Sequence, residues 1–232
     1  TLKPEKTHSL EIGFDGTFLQ KRLNINPTYY KTNTKNQFFS VAAPYESGLR
    51  NRYVNAGNVE NKGFEFNIGW YEQFTDNFSW STNLNFSYND NKIKELVDDL
   101  PNGLTLTDFG GAKVILKEGG HYGDLYVRHL MRDESGKPLQ NEKGEPIVSG
   151  DSMDDLEYAG NMNAKVNMGW TNTFRYKDFS LSFLIDAKFG GKVIGMTEAA
   201  LDGWGVSKRS GEARDAGGIT IDGVKFDADK YY

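Results

Sequence analysis

The chain has 232 residues, a net charge of −5, no cysteine and a mean hydropathy of −0.61. The acidic balance argues against nucleic acid as a partner, and the lack of Cys removes disulfide frameworks and thiolate metal sites. No run approaches the roughly 18 apolar residues of a membrane-spanning helix, but alternating strands are not excluded, because alternation dilutes their hydropathy.

Aromatic residues make up 13% of the chain, with 15 Phe and 12 Tyr against only 6 Pro, a mixture that favours strands. The opening residues, Thr1 to Gly13, hold no apolar core of a signal peptide, so none is expected. Both ends read as cuts through a longer protein.

From Thr7 to Leu19, His8, Leu10, Ile12, Phe14 and Phe18 share one parity, and Thr7, Ser9, Glu11, Asp15 and Thr17 the other. A period of two puts each set on its own face of a strand. A short basic turn, Gln20-Lys21-Arg22, leads into a second strand over Leu23 to Thr34. Pro27 lies inside it and has no N–H to give a ladder, which predicts a bulge or an edge position. Residues 35–60 read as loop, with Ala43-Pro44, Ser47-Gly48 and Asn55-Ala56-Gly57-Asn58 as breakers.

The clearest pattern runs from Asn61 to Asp90. Phe64, Phe66, Ile68 and Trp70 alternate with Glu65, Asn67 and Gly69. After the turn Thr75-Asp76-Asn77, Phe78, Trp80, Leu84, Phe86 and Tyr88 alternate with Ser79, Ser81, Asn83, Asn85 and Ser87. The hairpin has one aromatic face and one uncharged polar face. Residues 91–163 then form a connection too long to be ordinary, in which Leu125 to Met131 and Ile147-Val148 are candidates for local pairing. A third hairpin follows: Val166, Met168, Trp170 and Phe174, a turn at Tyr176-Lys177-Asp178, then Phe179, Leu181, Phe183, Ile185, Ala187 and Phe189, with Leu184 breaking the polar side. Residues 190–232 are again long and polar, and Thr197 to Leu201 suggests a helical turn with Thr197 as its cap.

Short turns and long loops thus alternate along the chain. In an up-and-down sheet alternate connections lie at opposite ends, so one end is trimmed and the other elaborated. Membrane barrels are built this way, with short periplasmic turns and long extracellular loops. The expected fold is all-β: antiparallel up-and-down hairpins forming part of a transmembrane β-barrel with long extracellular loops. The alternative is a secreted β-sandwich carbohydrate-binding module, in which the aromatic faces are core.

Further residues carry a family resemblance. Leu2-Lys3-Pro4-Glu5, Arg22-Leu23 with Tyr29-Tyr30-Lys31, Tyr53-Val54-Asn55-Ala56-Gly57 with Asn61-Lys62-Gly63-Phe64-Glu65, Gly119-Gly120-His121-Tyr122-Gly123, and Phe174-Arg175-Tyr176-Lys177-Asp178-Phe179-Ser180-Leu181 occur in an order and spacing that resemble SusC/RagA-like TonB-dependent outer-membrane transporters of Bacteroidetes. The resemblance covers nearly the whole chain. It implies that residues 1–232 are a partial, C-terminal region of a 22-strand barrel, with the plug domain, the TonB box and the last strand lying outside it. It implies outer-membrane lipid, a SusD-like surface lipoprotein lid, TonB and a glycan or peptide fragment as partners, and the cell outer membrane as location. The chain departs from the family before the third hairpin, where of an acidic, glycine-containing stretch only Gly150-Asp151-Ser152-Met153-Asp154-Asp155 is present.

No catalytic motif is recognisable, and the expectation is a transporter segment, not an enzyme, with no cofactor. His8, His121 and His129 lack zinc-ligand spacing and are read as surface or packing residues. Asp151, Asp154, Asp155 and Glu157 offer calcium-type oxygens, but solvated loop charge is the favoured reading. Trp70, Trp80 and Trp170, on apolar strand faces, read as lipid or interfacial contacts. Tyr122, Tyr126 and Trp204 sit in polar loops and are the candidate ligand-binding residues, against a competing role in loop packing. A fragment with two open strand edges and a bare apolar face is expected to aggregate when isolated.

Overall fold

A computed structural model of the chain describes residues 2–43, 45–55, 57–96 and 103–232. Pro44, Ala56 and Pro101-Asn102, read above as loop, lie outside the described residues. The strands are β1 (Lys6–Gly13), β2 (Gly16–Phe18), β3 (Leu23–Lys35), β4 (Phe38–Ala42), β5 (Asn51–Asn55), β6 (Gly57–Thr75), β7 (Phe78–Leu96), β8 (Leu104–Asp108), β9 (Ala112–Leu116), β10 (Asp124–Val127), β11 (Glu157–Asn161), β12 (Ala164–Tyr176), β13 (Phe179–Gly190), β14 (Ile219–Ile221) and β15 (Val224–Phe226). Short helices α1 (Met196–Gly203), α2 (Lys208–Asp215) and α3 (Ala228–Tyr231) fall in the last segment. The chain divides into two compact units: Thr1–Thr107, Val114–Asp124 and Gly160–Lys192, and Asp108–Lys113, Leu125–Ala159 and Val193–Tyr232.

The first unit contains an antiparallel sheet in the order β1-β3-β6-β7-β12-β13, with β2 continuing β1 against β3. Each of the three expected hairpins is present, and two turn in two residues, at Asp76-Asn77 and Lys177-Asp178. Register aligns the alternation across the sheet. One row runs Ile25, Ile68, Leu84, Trp170, Ile185, and the next but one on the same face Tyr29, Phe64, Tyr88, Val166, Phe189. The opposite face carries Asn26, Asn67, Asn85, Gly169 and Asp186 in register. Phe66 and Phe86 stack between strands with ring centres 4.9 Å apart. Trp80 and Trp170 donate their indole N–H groups to Asn172 Oδ1 (3.1 Å) and Thr82 Oγ1 (2.8 Å).

The apolar face is not a core. On β13, Phe179, Leu181 and Ile185 are 79%, 64% and 46% exposed. A sandwich would cover these residues, so the binding-module alternative fails on burial. The buried cluster is Phe39, Val59, Ile93, Leu104 and Leu116, at the long-loop end of β6 and β7, where odd-numbered positions turn apolar. This cluster extends both strands well past the expected boundaries, to 19 residues each.

Three local expectations are corrected. Pro27 is neither at an edge nor in a bulge. It sits in β3, an inner strand, with its own carbonyl accepting from Phe14 N–H at 3.0 Å. Its missing N–H faces the same neighbour, and the ladder there breaks into β1 and β2 without a register shift, while the β3–β6 ladder is unbroken. Thr197 is not a cap: α1 begins one residue earlier and its N-cap is Gly195, which offers no side chain. Residues 35–60 are not all loop: β4 pairs with β5, and β6 begins at Gly57. In the connection after β7, β8 to β11 form a sheet in the order β11-β10-β9-β8, and Leu130 bridges Val148, as the expected local pairing of those two pieces has it.

Candidate functional site

The polar face of the main sheet ends in a cleft of about 200 Å³. Asn61 reaches it from β6, and Asn89 and Asn91 from β7, all at polar-face parity. Asn161 closes β11, and Asn163 and Lys165 bracket the start of β12. His121 and Tyr122 come from the segment between β9 and β10. That segment is fastened to the free edge of β7, where Gly119 N–H donates to the Ile93 carbonyl (2.8 Å) and Ile93 N–H to the Gly120 carbonyl (2.9 Å).

The asparagines hold one another and hold Tyr122. Asn91 Nδ2 donates to Asn61 Oδ1 at 2.9 Å, and Tyr30 Oη donates to Asn89 Oδ1 at 3.1 Å. Tyr122 N–H donates to Asn91 Oδ1 (2.8 Å), and its carbonyl accepts from Asn161 Nδ2 (3.1 Å) and Asn163 Nδ2 (2.8 Å). The backbone of Tyr122 is therefore fully satisfied, while the residue as a whole is 44% exposed. The next residue, Gly123, has φ of +90°, and a Cβ there would meet Asn163 Nδ2 at 2.5 Å. A glycine is required to bring the tyrosine this close to the asparagines. Asp124, 3% exposed, accepts from His121 N–H (2.7 Å) and Asn161 Nδ2 (2.8 Å) and ties the loop from below. His121 lies between two carboxylates, 3.6 Å from Asp90 and 3.8 Å from Asp124. Chemically the cleft offers neutral amides that both donate and accept, one open phenol ring and one ammonium group at its rim. That set suits a polyhydroxyl or amide ligand.

The other two predicted ligand residues belong to the second unit. Tyr126 packs edge-on against Tyr158, with ring centres 5.6 Å apart. Trp204 stands at the C-cap of α1 and is 84% exposed. Neither lines the cleft of about 630 Å³ in that unit, whose walls include Leu130, Val148, Arg209, Tyr231 and Tyr232. There Arg209 Nε donates to Asp202 at 2.9 Å, and the guanidinium holds the Asp202 carboxyl below the usual range. The acidic stretch does not gather. Lys113 binds Asp151 (2.8 Å) and Asp108 (3.2 Å), and Asp155 accepts from the Ser152 hydroxyl. Among the described residues no group of three or more His, Asp or Glu is arranged to hold a metal ion.

Of the three candidate ligand residues only Tyr122 lines this cleft, and the five asparagines around it were not singled out by the sequence. Their signal was present as an excess of Asn at polar parity near strand ends, yet it takes the β6–β7 and β7–β12 pairings together to gather them.

A sheet of antiparallel hairpins, apolar and uncovered on one side and rich in uncharged amides on the other, is the wall of an outer-membrane type β-barrel. The chain belongs to the TonB dependent receptor-like, beta-barrel family, whose model matches residues 1–176. It is 29% identical over 218 residues to TonB-dependent receptor P3 of Formosa agariphila, covering 84% of this chain and 21% of that protein. It is 30% identical over 205 residues to TonB-dependent receptor SusC of Bacteroides thetaiotaomicron, covering 83% of this chain and 20% of that one. Among solved structures it is similar to the RagAB peptide importer in its closed-closed state, with a TM-score of 0.64 at 21% identity over 81% of this chain and 21% of that one. At that identity the likeness is one of fold. The chain spans about a fifth of the length of these relatives.

Proposed function

We propose that this chain is a late section of the barrel wall of an outer-membrane importer that takes up glycan or peptide fragments. In this reading β1 to β3, β6, β7, β12 and β13 form wall and lumen, and the segments after β7 and β13 help form the vestibule. A SusD-like surface lipoprotein serves as lid and TonB supplies the energy through parts of the longer protein. The observation that supports this most is the pairing of faces: apolar rows toward lipid, and an amide-lined lumen that ends in a cleft presenting the Tyr122 ring. Tyr122 stacks on a sugar ring or a flat peptide unit while Asn61, Asn89 and Asn163 exchange hydrogen bonds with it. Tyr126 and Trp204 make outlying contacts. The relatives are receptors and transporters, and no catalytic step is assigned.

The test is calorimetric titration of the full-length importer with a panel of oligosaccharides and a panel of short peptides. Tyr122→Ala is expected to weaken the ligand that binds by roughly tenfold, the cost of a central aromatic contact, about 1–2 kcal/mol. Tyr126→Ala, already packed on Tyr158, is expected to cost less. A folded Tyr122→Ala barrel with undiminished affinity removes Tyr122 from the site.

A further inference from the structure

The lipid-type face of the sheet changes character abruptly. Its last aromatic row is Tyr29, Phe64, Tyr88. The next row on the same face, about 7 Å along the strands, is Lys31, Lys62, Asp90, and the one after it is Asn33, Glu60, Lys92. Lys94 joins from a bulge to bind Glu60 at 3.3 Å. Four lysines thus face two carboxylates on a chain whose overall charge is negative. The carboxylates are largely used up: Glu60 takes Lys31 at 3.0 Å as well as Lys94, and Asp90 takes Lys165 at 3.0 Å, leaving Lys62 at 3.8 Å. The side chains of Lys31, Lys62 and Lys94 remain 48%, 49% and 40% exposed.

We infer that this lysine row binds the phosphate of a membrane lipid whose acyl chains lie on the aromatic rows beneath it. The inference rests on the barrel-wall reading. The surplus of positive charge matches an anionic headgroup, and the row lies just past the last aromatic row, where the apolar band of a barrel wall gives way to the interface. Glu60 and Asp90 fix the spacing of the ammonium groups, and the lysine stems carry those groups outward along apolar surface. The continuous apolar surface below distinguishes a lipid from free phosphate, which would gain nothing from Phe64 or Tyr88.

The experiment takes the full-length transporter in detergent, stripped of lipid. It is titrated with phosphatidic acid or with phosphatidylcholine of the same acyl chains, and lipid retention is read by native mass spectrometry. The unaltered protein is expected to retain phosphatidic acid preferentially. Lys62→Gln with Lys92→Gln is expected to reduce that preference by at least tenfold, since each lysine contributes roughly fivefold, and the Lys→Arg pair is expected to keep it. Equal retention of both lipids by the unaltered protein, an unchanged preference in the Gln pair, or full displacement by millimolar inorganic phosphate would overturn the inference. A heat-modifiable gel band, scored in parallel, reports the folded barrel. Its absence from the unaltered protein counts against the wall reading itself, whereas a folded barrel without lipid preference counts against the lysine row alone.

Discussion

Gly63 and Gly69 share one face of β6 and look interchangeable in the sequence, but their surroundings differ. A Cβ on Gly63 would collide with the Tyr88 carbonyl and with the phenol of Tyr30, whose ring crosses over the glycine to reach Asn89. A Cβ on Gly69 would meet Asn83 Nδ2 at 3.5 Å, an ordinary contact. Gly63→Ala is therefore expected to destabilise the full-length barrel by about 1–3 kcal/mol, the usual cost of overpacking. Gly69→Ala is expected to be neutral or to stabilise by about 0.4–1 kcal/mol, because the unfolded chain loses freedom. The temperature at which the barrel loses its compact gel mobility measures both. Equal effects would mean that the Tyr30 ring does not lie over Gly63.

At the scale of elements, the second unit contains a repeat within the long connection of residues 91–163. Asp133-Glu134-Ser135-Gly136-Lys137-Pro138-Leu139 and Asn141-Glu142-Lys143-Gly144-Glu145-Pro146-Ile147 fold the same way, each with its glycine at positive φ. Backbone bonds close a ring: Met131 N–H to the Ile147 carbonyl (2.8 Å), Leu139 N–H to Met131 (2.8 Å), and Ile147 N–H to Leu139 (3.0 Å). The equivalent side chains Arg132 and Gln140 both reach the β14–β15 hairpin, at Asp222 (2.6 Å) and the Lys225 carbonyl (2.7 Å). In the first turn Asp133 Oδ1 accepts from the Ser135 hydroxyl and from the amides of Ser135 and Lys137, and the Ser135 hydroxyl and Lys137 amide chiefly hold the carboxyl below its ordinary range. In the second turn Asn141 Oδ1 accepts from the amides of Lys143 (2.9 Å) and Glu145 (3.0 Å). A depressed carboxyl contributes stability that is complete above its unfolded value, about 4, and disappears as pH falls through the folded value. Acidification is therefore expected to loosen the Asp133 turn and leave the Asn141 turn closed, apart from the Asn141–Glu145 side-chain contact. Hydrogen exchange of the two peptides in the full-length protein, corrected for intrinsic rates, checks this. Equal loss of protection in both would show that the Asp133 carboxylate does not hold its turn. The hairpins of the sheet were legible because a period of two needs no tertiary information, as Phe64 to Trp70 against Phe78 to Tyr88 shows. The closure of the ring of turns and the asparagine cleft were not, because both depend on partners the pattern does not mark, such as Leu139 between Met131 and Ile147, or Asn91 with Tyr122.

For the whole molecule, the decisive balance is between what the sheet exposes and what can cover it. Its two outer positions are held by β1 with β2 and by β13, so each side presents a strand with unpaired backbone groups. Every apolar residue of β13 from Phe179 to Phe183 is more than two-fifths exposed, and so are Leu10, Ile12 and Phe14 at the other edge. The buried cluster around Ile93 sits beyond the rows that make up the sheet's aromatic face and does nothing to shield them. In the barrel-wall reading proposed above, lipid covers that face and neighbouring strands satisfy both edges. In water the isolated chain has neither, and bare edges and large apolar patches associate. The purified 232-residue chain is expected to aggregate in plain buffer and to give a β-type circular dichroism signal only in detergent micelles, which substitute for lipid on the aromatic rows. Sedimentation and heat-unfolding with and without detergent make the comparison. A monomer with a cooperative transition in plain buffer would mean that the strands have closed on one another and buried Phe179, Leu181 and Ile185, and the lipid-facing assignment of those rows would then fall.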